Sequence, residues 1–193
     1  QGKSGENIHL TISTNLQKFA SERLKGMSAS SVLIDINNGD ILSLVSTPSY
    51  NPNNFVLGIS HSDWNDLLND ERKPLLNKAT SGAYPPGSTF KMVVAAAALE
   101  LGLIGLNDKI FCAGFYELGS RKFHCWLKGG HGKLTLQEGI QKSCDVYFYE
   151  LARKVGVKRI GDMARRLGLG QAYNLPLTGL SKGFVPTKKW KKE

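Results

Sequence analysis

The sequence predicts an α/β domain, because strand-like segments in its first half are followed by a block of helical ones. The first observation is a hairpin. Segments rich in β-branched residues at 31–36 and 41–45 flank Asn37-Asn38-Gly39-Asp40, and Asn-Gly between such segments is a strong hairpin signal. The second is the capping box Thr135-Leu136-Gln137-Glu138, which predicts the start of a helix. A chain of 193 residues is long enough for one domain with a hydrophobic core.

Composition and charge narrow the class of protein. With 41% hydrophobic and 21% charged residues, the chain has the composition of a soluble globular domain. Its longest apolar run, Met92 to Leu99, is too short to cross a bilayer, and no signal peptide is visible at Gln1, so we expect an excised piece of a protein. The net charge is +9, and the last residues are rich in lysine. Since no nucleic-acid motif is present, we expect no nucleic-acid partner; a solvated basic tail is favoured over an anionic membrane surface.

Local patterns predict the elements on either side of the hairpin. Alternating apolar residues at 7–13 indicate a short strand, and apolar residues at helical spacing over 16–24 indicate a helix capped by Ser13 or Thr14. A loop rich in Pro and Asn follows the hairpin. Ser62 is expected to cap the next helix.

The segment Tyr84-Pro85-Pro86-Gly87-Ser88-Thr89-Phe90-Lys91-Met92 organises the chain. Its prolines stop the preceding element, its glycine supplies a turn, and Ser88 opens a helix that runs to Leu101 and ends at Gly102. On that helix Ser88 and Lys91 are three residues apart, so their side chains share one face.

Ser88 and Lys91 have the chemistry of a nucleophile and its base. A serine hydroxyl is a weak nucleophile until a base lies within hydrogen-bond reach, and a lysine in a poorly solvated cleft can be that base. The helix N-terminus favours negative charge that develops near Ser88. A bare Ser-x-x-Lys match is more often a helix cap followed by a solvated lysine, so the assignment depends on the rest of the chain.

Beyond this helix the chain is irregular and then helical. The predicted elements are strand-like pieces at 110–111 and 115–118, a glycine-rich loop at 128–132, and helices at 143–156 and 158–167. Residues after Gly168 predict a loop.

A second polar motif, Lys142-Ser143-Cys144-Asp145, lies where two predicted helices meet. An activated serine needs a hydroxyl that relays a proton between Lys91 and a leaving group, and Ser143 fits that role. Asp145 can accept a hydrogen bond from a lysine or help to hold the cleft. Ser143 can also simply cap the following helix, and the two roles are compatible.

These motifs resemble those of the penicillin-binding transpeptidases, whose signature set is Ser-x-x-Lys, Ser-Asp-Asn and Lys-Thr-Gly. The resemblance covers nearly the whole chain and is closest to the class B, elongation-type members, the penicillin-binding protein 2 family. Asp145 replaces the more common Asn. The other segments that carry the resemblance are Asn7-Ile8-His9-Leu10-Thr11-Ile12, Asn38-Gly39-Asp40, Asn77-Lys78-Ala79-Thr80, Gly129-Gly130-His131-Gly132 and Leu167-Gly168-Leu169-Gly170.

The resemblance implies a penicillin-binding and serine β-lactamase-like transpeptidase fold and a peptidoglycan D,D-transpeptidase activity. Lys91 would take the proton of Ser88, Ser88 would attack a stem peptide ending in D-Ala-D-Ala, and Ser143 would relay the proton, with Asp145 completing the second motif. It also implies acylation by β-lactam antibiotics and partnership with the glycan polymerase of the elongation machinery. The implied location is the periplasmic face of the bacterial inner membrane, on an anchor that this chain lacks.

The third motif of the family does not occur. The chain ends at Glu193, before the strand that should carry Lys-Thr-Gly, and no N-terminal module is present. Residues 1–193 are therefore expected to be a partial transpeptidase domain, truncated before the C-terminal strands. Two alternatives stay open: a zinc-stabilised fragment without activity, and a β-lactam-sensing or β-lactam-binding domain. A β-lactamase is disfavoured because nothing resembles a deacylating base.

Three cysteines, Cys112, Cys125 and Cys144, are an odd number for an oxidising compartment. One interpretation is a disulfide with one free thiol. Together with His131 they also form a Cys₃His set, which suits a closed structural zinc site, although the spacing is not that of a zinc finger. The resemblance favours zinc, since some penicillin-binding protein 2 homologues bind it through Asp, His and Cys, and His131 and Cys144 match that pattern.

Structural Zn²⁺ would pin the loop carrying Ser143 and Asp145 against Lys91. His124 is the rival ligand, but adjacent residues in an extended segment point to opposite faces, so His124 and Cys125 are not expected to share one ion. Three nearby aromatic residues are predicted to lie in the core rather than on a substrate platform: Trp126, Tyr147 and Phe148. Trp126 lies near a loop, and for this residue the substrate platform stays open as an alternative.

Overall fold

A computed structural model of the chain describes residues 5–190. Residues 1–4 and 191–193, and with them two lysines of the predicted basic tail, lie outside the described residues. The elements are α1 (Thr14–Arg23), β1 (Ala29–Ile34), β2 (Ile41–Thr47), α2 (His61–Asn69), α3 (Lys91–Glu100), β3 (Ile110–Cys112), β4 (Phe115–Leu118), β5 (Arg121–His124), β6 (Gly132–Leu134), α4 (Leu136–Gln141), α5 (Asp145–Val155) and α6 (Val157–Arg166). Short 3₁₀ turns lie at Pro52–Phe55 and Gly87–Phe90. This mixture of helices and strands confirms the α/β class.

The residues divide into two compact units. The first comprises the chain up to Ala83 together with 174–181, and the second comprises 84–173 together with the residues from 182 onward. All the predicted site residues belong to the second unit. Among the described residues, no helix combines the length and the apolar character that crossing a bilayer requires.

The first unit is built on the predicted hairpin. β1 and β2 pair antiparallel from Ala29 opposite Thr47, with an irregularity between Leu33 and Ile34. The connecting turn needs its glycine, because Gly39 has a φ of 81°, which a residue with a Cβ rarely adopts. The Asn-Gly signal therefore predicted both strands and their register-setting turn.

The helix α1 packs against β2 through an unusual polar contact. The side-chain amide of Gln17 donates to the Leu44 carbonyl at 2.8 Å, and its oxygen accepts from the Leu44 N–H at 2.8 Å. The amide thus pairs with the strand backbone as a neighbouring strand would. Ser13 takes the predicted N-cap position of this helix, without a side-chain hydrogen bond.

Two predictions for the first unit are wrong. Residues 7–13 do not form a strand. Ile8 and Leu10 are 84% and 75% exposed, and among the described residues no strand pairs with this segment through regular backbone hydrogen bonds. The N-cap of α2 is Ser60, not Ser62, since the Ser60 hydroxyl accepts the Asp63 N–H at 3.1 Å. Ser60, two residues earlier, has the extended backbone that an N-cap requires.

The core of the second unit forms where α3, α5 and α6 pack together. The Ala-rich face of α3 is buried, including Ala97 and Ala98, which lets the neighbouring helices approach closely. The predicted single helix from Ser88 is instead a 3₁₀ turn followed by α3, which begins at Lys91. The helix ends as predicted, with Gly102 at a φ of 63°.

Two small antiparallel sheets complete this unit. The strands β3 and β4 were predicted, but their partners β6 and β5 were not. All four residues of β5 are exposed and β6 has only three residues, so neither shows an apolar alternation. Gly130 enables the close approach of the intervening loop to β3, because a Cβ there would lie 2.3 Å from the Cys112 carbonyl oxygen.

The capping box confirms the predicted start of α4. The Thr135 N–H donates to the Glu138 carboxylate at 2.8 Å, and the Glu138 N–H donates to the Thr135 hydroxyl at 3.4 Å. The following helix α5 is capped by Cys144, whose sulfur accepts the Tyr147 N–H at 3.4 Å. The expectation that Ser143 caps this helix is therefore wrong.

Gly139 in α4 tests how tightly this helix packs. A Cβ at this position would lie 2.9 Å from the ring of the fully buried Tyr147. Overpacking of this kind costs about 1–3 kcal/mol, while Ala gains up to about 1 kcal/mol over Gly in helix propensity. We therefore expect Gly139→Ala to lower the free energy of unfolding by about 1–2 kcal/mol in urea titrations. Gly129→Ala is the control, since a Cβ there meets no atom within 4 Å; an equal loss in both variants would contradict this account.

The capping box also predicts a pH dependence. Hydrogen bonds from the Thr135 backbone N–H and hydroxyl hold the pKa of Glu138 below its usual value. A carboxyl with a lowered pKa in the folded state stabilises the protein above its unfolded-state pKa, and this stability is lost as pH falls through the folded-state pKa. We expect Glu138→Gln to lower stability near pH 7 and the difference from wild type to vanish in acid. Urea unfolding across pH tests this, with Glu71→Gln in an exposed turn as the control; a difference independent of pH would refute it.

Candidate active site

Ser88 and Lys91 lie at the junction of the 3₁₀ turn and α3. The Lys91 ammonium nitrogen is 3.1 Å from the Ser88 hydroxyl oxygen. Ser88 is exposed, whereas the Lys91 side chain is only 14% exposed. A reachable hydroxyl beside a shielded amine is the arrangement that nucleophilic catalysis by serine requires.

Lys91 also contacts both residues of the second motif. Its Nζ lies 3.0 Å from the Ser143 hydroxyl, 2.8 Å from the Ser143 carbonyl oxygen and 2.7 Å from Oδ1 of Asp145. The structure thus brings together all four predicted catalytic residues, although more than fifty positions separate the two motifs in sequence. The Asp145 carboxylate is thus close enough to form an ion pair with Lys91.

Ser143 completes a triangle of polar groups. Its hydroxyl donates to the Ser88 oxygen at 3.0 Å while accepting from Lys91. Its φ is 47°, in the left-handed region that non-glycine residues seldom occupy. Such strain, of about 1–3 kcal/mol, persists only where surrounding contacts hold it. Here it turns both the hydroxyl and the carbonyl of one residue toward Lys91.

Asp145 is fixed from two sides. It is the first residue of α5, where the helix dipole stabilises a negative charge. Its second oxygen, Oδ2, accepts the backbone N–H of Trp126 at 3.1 Å. The carboxylate therefore contacts a different segment of chain through one oxygen and Lys91 through the other.

A cluster of three thiols and an imidazole adjoins this site. The Cys₃His cluster consists of Cys112 at the end of β3, Cys125 after β5, His131 before β6 and Cys144 at the N-cap of α5. Its possible ligand atoms all lie within 4.8 Å of one another, and the three thiols are free and buried. Because Cys144 stands between Ser143 and Asp145 in the chain, the cluster and the second motif share one turn.

The cluster has the dimensions of a tetrahedral metal site. With Zn–S of about 2.3 Å and Zn–N of about 2.0–2.1 Å, ligand atoms are separated by about 3.6–3.8 Å. The observed separations from His131 Nδ1 are 3.5 Å to Cys125 Sγ and 3.7 Å to Cys112 Sγ, and Cys125 Sγ is 3.9 Å from Cys144 Sγ. A disulfide would require a sulfur separation near 2.0 Å. The residues therefore fit a thiolate-binding metal ion.

The thiols differ in acidity for local reasons. Burial raises the pKa of Cys125, but hydrogen bonds from the backbone N–H groups of Leu127, Val146 and Asp145 outweigh it and leave the pKa below the usual value. Burial raises the pKa of Cys144 to about 12. A cation at the centre of the cluster would favour the thiolate form of every cysteine in it.

The structure also decides between rival residues. His124 lies in the exposed strand β5, outside the Cys₃His cluster, as the alternation argument predicted. Tyr147 and Phe148 are buried, as predicted, but Trp126 is 62% exposed, so its assignment to the core is wrong. The sequence left open whether Trp126 lies in the core or on a substrate platform, and it did not predict the contact with Asp145. Its position directly after Cys125 was the available signal.

Comparison with known proteins relates the chain to a family of transpeptidases. A family model described as "Penicillin binding protein transpeptidase domain" matches residues 29–193. The peptidoglycan D,D-transpeptidase MrdA of Escherichia coli K12 is 40% identical over 193 residues, which are 99% of this chain and 30% of that protein. The chain thus spans about 30% of the length of the curated relatives it matches.

Solved structures show the same fold. Penicillin-binding protein 2 of Pseudomonas aeruginosa has a TM-score of 0.89 and 38% identity, covering 95% of this chain and 42% of that one. Penicillin-binding protein 2 of Helicobacter pylori, in a complex with MreC, has a TM-score of 0.87 and 37% identity, covering 92% and 33%. A penicillin G acyl-enzyme complex of penicillin-binding protein A from Mycobacterium tuberculosis has a TM-score of 0.74 and 30% identity, covering 83% and 40%.

Proposed function

The chain belongs to the penicillin-binding protein transpeptidase family, and we propose that it carries the acylation centre of a peptidoglycan D,D-transpeptidase. The observation that carries the proposal is the position of the Lys91 nitrogen, within hydrogen-bond distance of the Ser88 and Ser143 hydroxyls and the Asp145 carboxylate. One amine can therefore exchange protons with the nucleophile and with the relay.

Each residue has a defined role in the proposed reaction. Neutral Lys91 accepts the proton of Ser88, whose oxygen attacks the penultimate D-Ala carbonyl of a stem peptide. Ser143 delivers a proton from Lys91 to the departing D-Ala amine, and Asp145 stabilises the ammonium form of Lys91. An amine of a second stem peptide then attacks the acyl carbonyl, the bond from that carbonyl to the Ser88 oxygen breaks, and the proton lost by the amine reaches the Ser88 oxygen through Lys91. A β-lactam would acylate the same oxygen, and the mycobacterial relative is known as a penicillin G acyl-enzyme complex.

The domain assignment is part of the proposal. We assign residues 1–193 to a partial transpeptidase domain, because they contain the first two family motifs and no Lys-Thr-Gly. In the family, the strand with the third motif binds the substrate carboxylate and supplies an oxyanion N–H. Losing one oxyanion donor costs about a hundredfold to a thousandfold in rate. Acylation is therefore best measured on the full-length gene product as well as on this chain.

The location and partners follow from the proposed substrate. Peptidoglycan lies outside the cytoplasmic membrane, so we propose an extracytoplasmic site, on the periplasmic face of the inner membrane in a Gram-negative cell. The H. pylori relative forms a complex with MreC. Another structural neighbour, 32% identical with a TM-score of 0.75, belongs to a complex described as coordinating polymerization and crosslinking. A glycan polymerase is therefore the partner we propose, alongside peptidoglycan and β-lactams.

We further propose that the Cys₃His cluster holds a structural Zn²⁺. Cys112, Cys125, His131 and Cys144 would be its ligands, closing the coordination shell. The ion would supply folding energy rather than chemistry, since a closed four-ligand site leaves no position for substrate. Its support comes from the separations between the ligand atoms and from the burial of the three free thiols.

Replacement of the nucleophile tests the proposed reaction. We expect the full-length gene product to bind a fluorescent penicillin covalently, with the label mapping to Ser88, and Ser88→Ala to abolish the label. Ser62→Ala, which removes an exposed hydroxyl in α2, should leave labelling at the wild-type level.

Four other outcomes are informative. A label that persists on Ser88→Ala would refute the nucleophile assignment, and an unlabelled wild type would refute the acylation centre. Labelling without cross-linking of stem peptides would indicate a β-lactam-sensing domain. Labelling of the full-length product alone would mean that the 193 residues are an inert fragment.

Metal stoichiometry tests the second part of the proposal. Native mass spectrometry should find one zinc per chain, lost together with cooperative unfolding when a chelator is added. His131→Ala should lower the zinc affinity by at least about tenfold to a hundredfold, while His124→Ala should retain one zinc. A metal-free chain two hydrogens lighter would demonstrate a disulfide instead. Unchanged hydrogen exchange between Cys112 and Cys144 after chelation would exclude the structural role.

A further inference from the structure

Trp126 lies between the Cys₃His cluster and the candidate active site. Its indole N–H donates to the Lys142 carbonyl at 3.0 Å, and its backbone N–H donates to Asp145 Oδ2 at 3.1 Å. Its ring packs edge-on against His131, with ring centroids 5.2 Å apart. One residue thus contacts the second motif at two points and the cluster at a third.

We propose that Trp126 is a positioning residue that holds Ser143 and Asp145 in their orientation toward Lys91. The inference rests on the proposed acylation function, because it assigns a role within that reaction. Trp126 acts through the second motif and need not touch the substrate.

The argument begins at the end of α4. The last carbonyl groups of a helix have no partner within the helix, and Lys142 is the C-cap of α4. The indole of Trp126 supplies the hydrogen bond that the Lys142 carbonyl would otherwise lack. A helix end is therefore closed by a side chain from a different segment.

The same bond fixes the peptide unit that leads into Ser143. This unit carries the Lys142 carbonyl at one end and the Ser143 N–H at the other, and a peptide unit is planar. The Ser143 N–H donates to the Ile140 carbonyl at 3.0 Å. Since both polar groups are held, the plane cannot rotate without breaking a hydrogen bond. The left-handed backbone of Ser143, with its φ of 47°, is thereby maintained.

The exposure of Trp126 separates this role from core packing. A tryptophan that is 62% exposed contributes little by apolar burial, yet both of its N–H groups are hydrogen-bonded to the second motif. The two contacts act on opposite sides of Ser143, one on the preceding residue and one on Asp145. The motif is held between them.

The decisive experiment is Trp126→Phe in the full-length gene product. Phe keeps an aromatic ring and the backbone N–H but lacks the indole donor. Stopped-flow measurement with a fluorescent penicillin separates the dissociation constant of the non-covalent complex from the acylation rate constant. We expect the rate constant to fall about threefold to tenfold, as for loss of one hydrogen bond, with the dissociation constant unchanged.

Trp190→Phe is the matched control, because Trp190 is 54% exposed and its ring packs against Phe184. It should leave both constants at the wild-type value. An unchanged acylation rate constant in Trp126→Phe overturns the proposal, and a change in the dissociation constant alone would make Trp126 a substrate-contacting surface instead.

Amide hydrogen exchange tests the positioning without acylation. In Trp126→Phe the amides of Ser143 and Cys144 should exchange about threefold to tenfold faster than in wild type, and Trp190→Phe should not affect them. If the wild-type protein is not acylated, the proposed function fails. The exchange rates then still decide whether Trp126 holds the turn, since unchanged rates would overturn it.

Discussion

The candidate active site in the second unit is organised around a single amine, that of Lys91. Lys91 Nζ has four oxygen neighbours within 3.1 Å, contributed by Ser88, Ser143 and Asp145, while an ammonium has only three N–H groups. A desolvated amine is costly unless its neighbours compensate for the lost water. The carboxylate forms an ion pair with this amine, and the two hydroxyls are its other side-chain partners. In the proposed reaction, the same contacts would carry the proton transfer.

The contacts of Lys91 hold only if the second motif is held as well. Ser143 and Asp145 flank Cys144, a buried member of the Cys₃His cluster, and Asp145 accepts a hydrogen bond from the residue that follows Cys125. The cluster brings together four residues between positions 112 and 144. The loops and short strands that carry these residues have little apolar surface to bury by themselves. A bound ion would offset the ordering entropy of these loops, and the gain would reach the site through shared backbone.

Sequence reasoning succeeded where the signal was local. The Ser88–Lys91 spacing, the Asn-Gly turn and the capping box each depend on neighbours within a few residues, and the structure contains all three features. It failed where a long-range contact decides the conformation. Ser143 was expected to cap α5, but its carbonyl and hydroxyl turn toward Lys91, and the thiol of Cys144 takes the capping position. No local pattern indicates that preference.

Trp126 shows why the remaining part of the site was not predictable. An aromatic residue in a short irregular segment has a core-like composition, and its exposure becomes visible only once β4 and β5 form their separate sheet. Its indole N–H is a hydrogen-bond donor in any setting, but the sequence does not indicate which carbonyl it meets. The orientation of Ser143 and Asp145 is thus set by hydrogen bonds to a backbone carbonyl and a carboxylate. Such contacts leave only a weak signature in the sequence. Substitutions around the cluster should accordingly alter acylation through geometry, even where no substrate atom is touched.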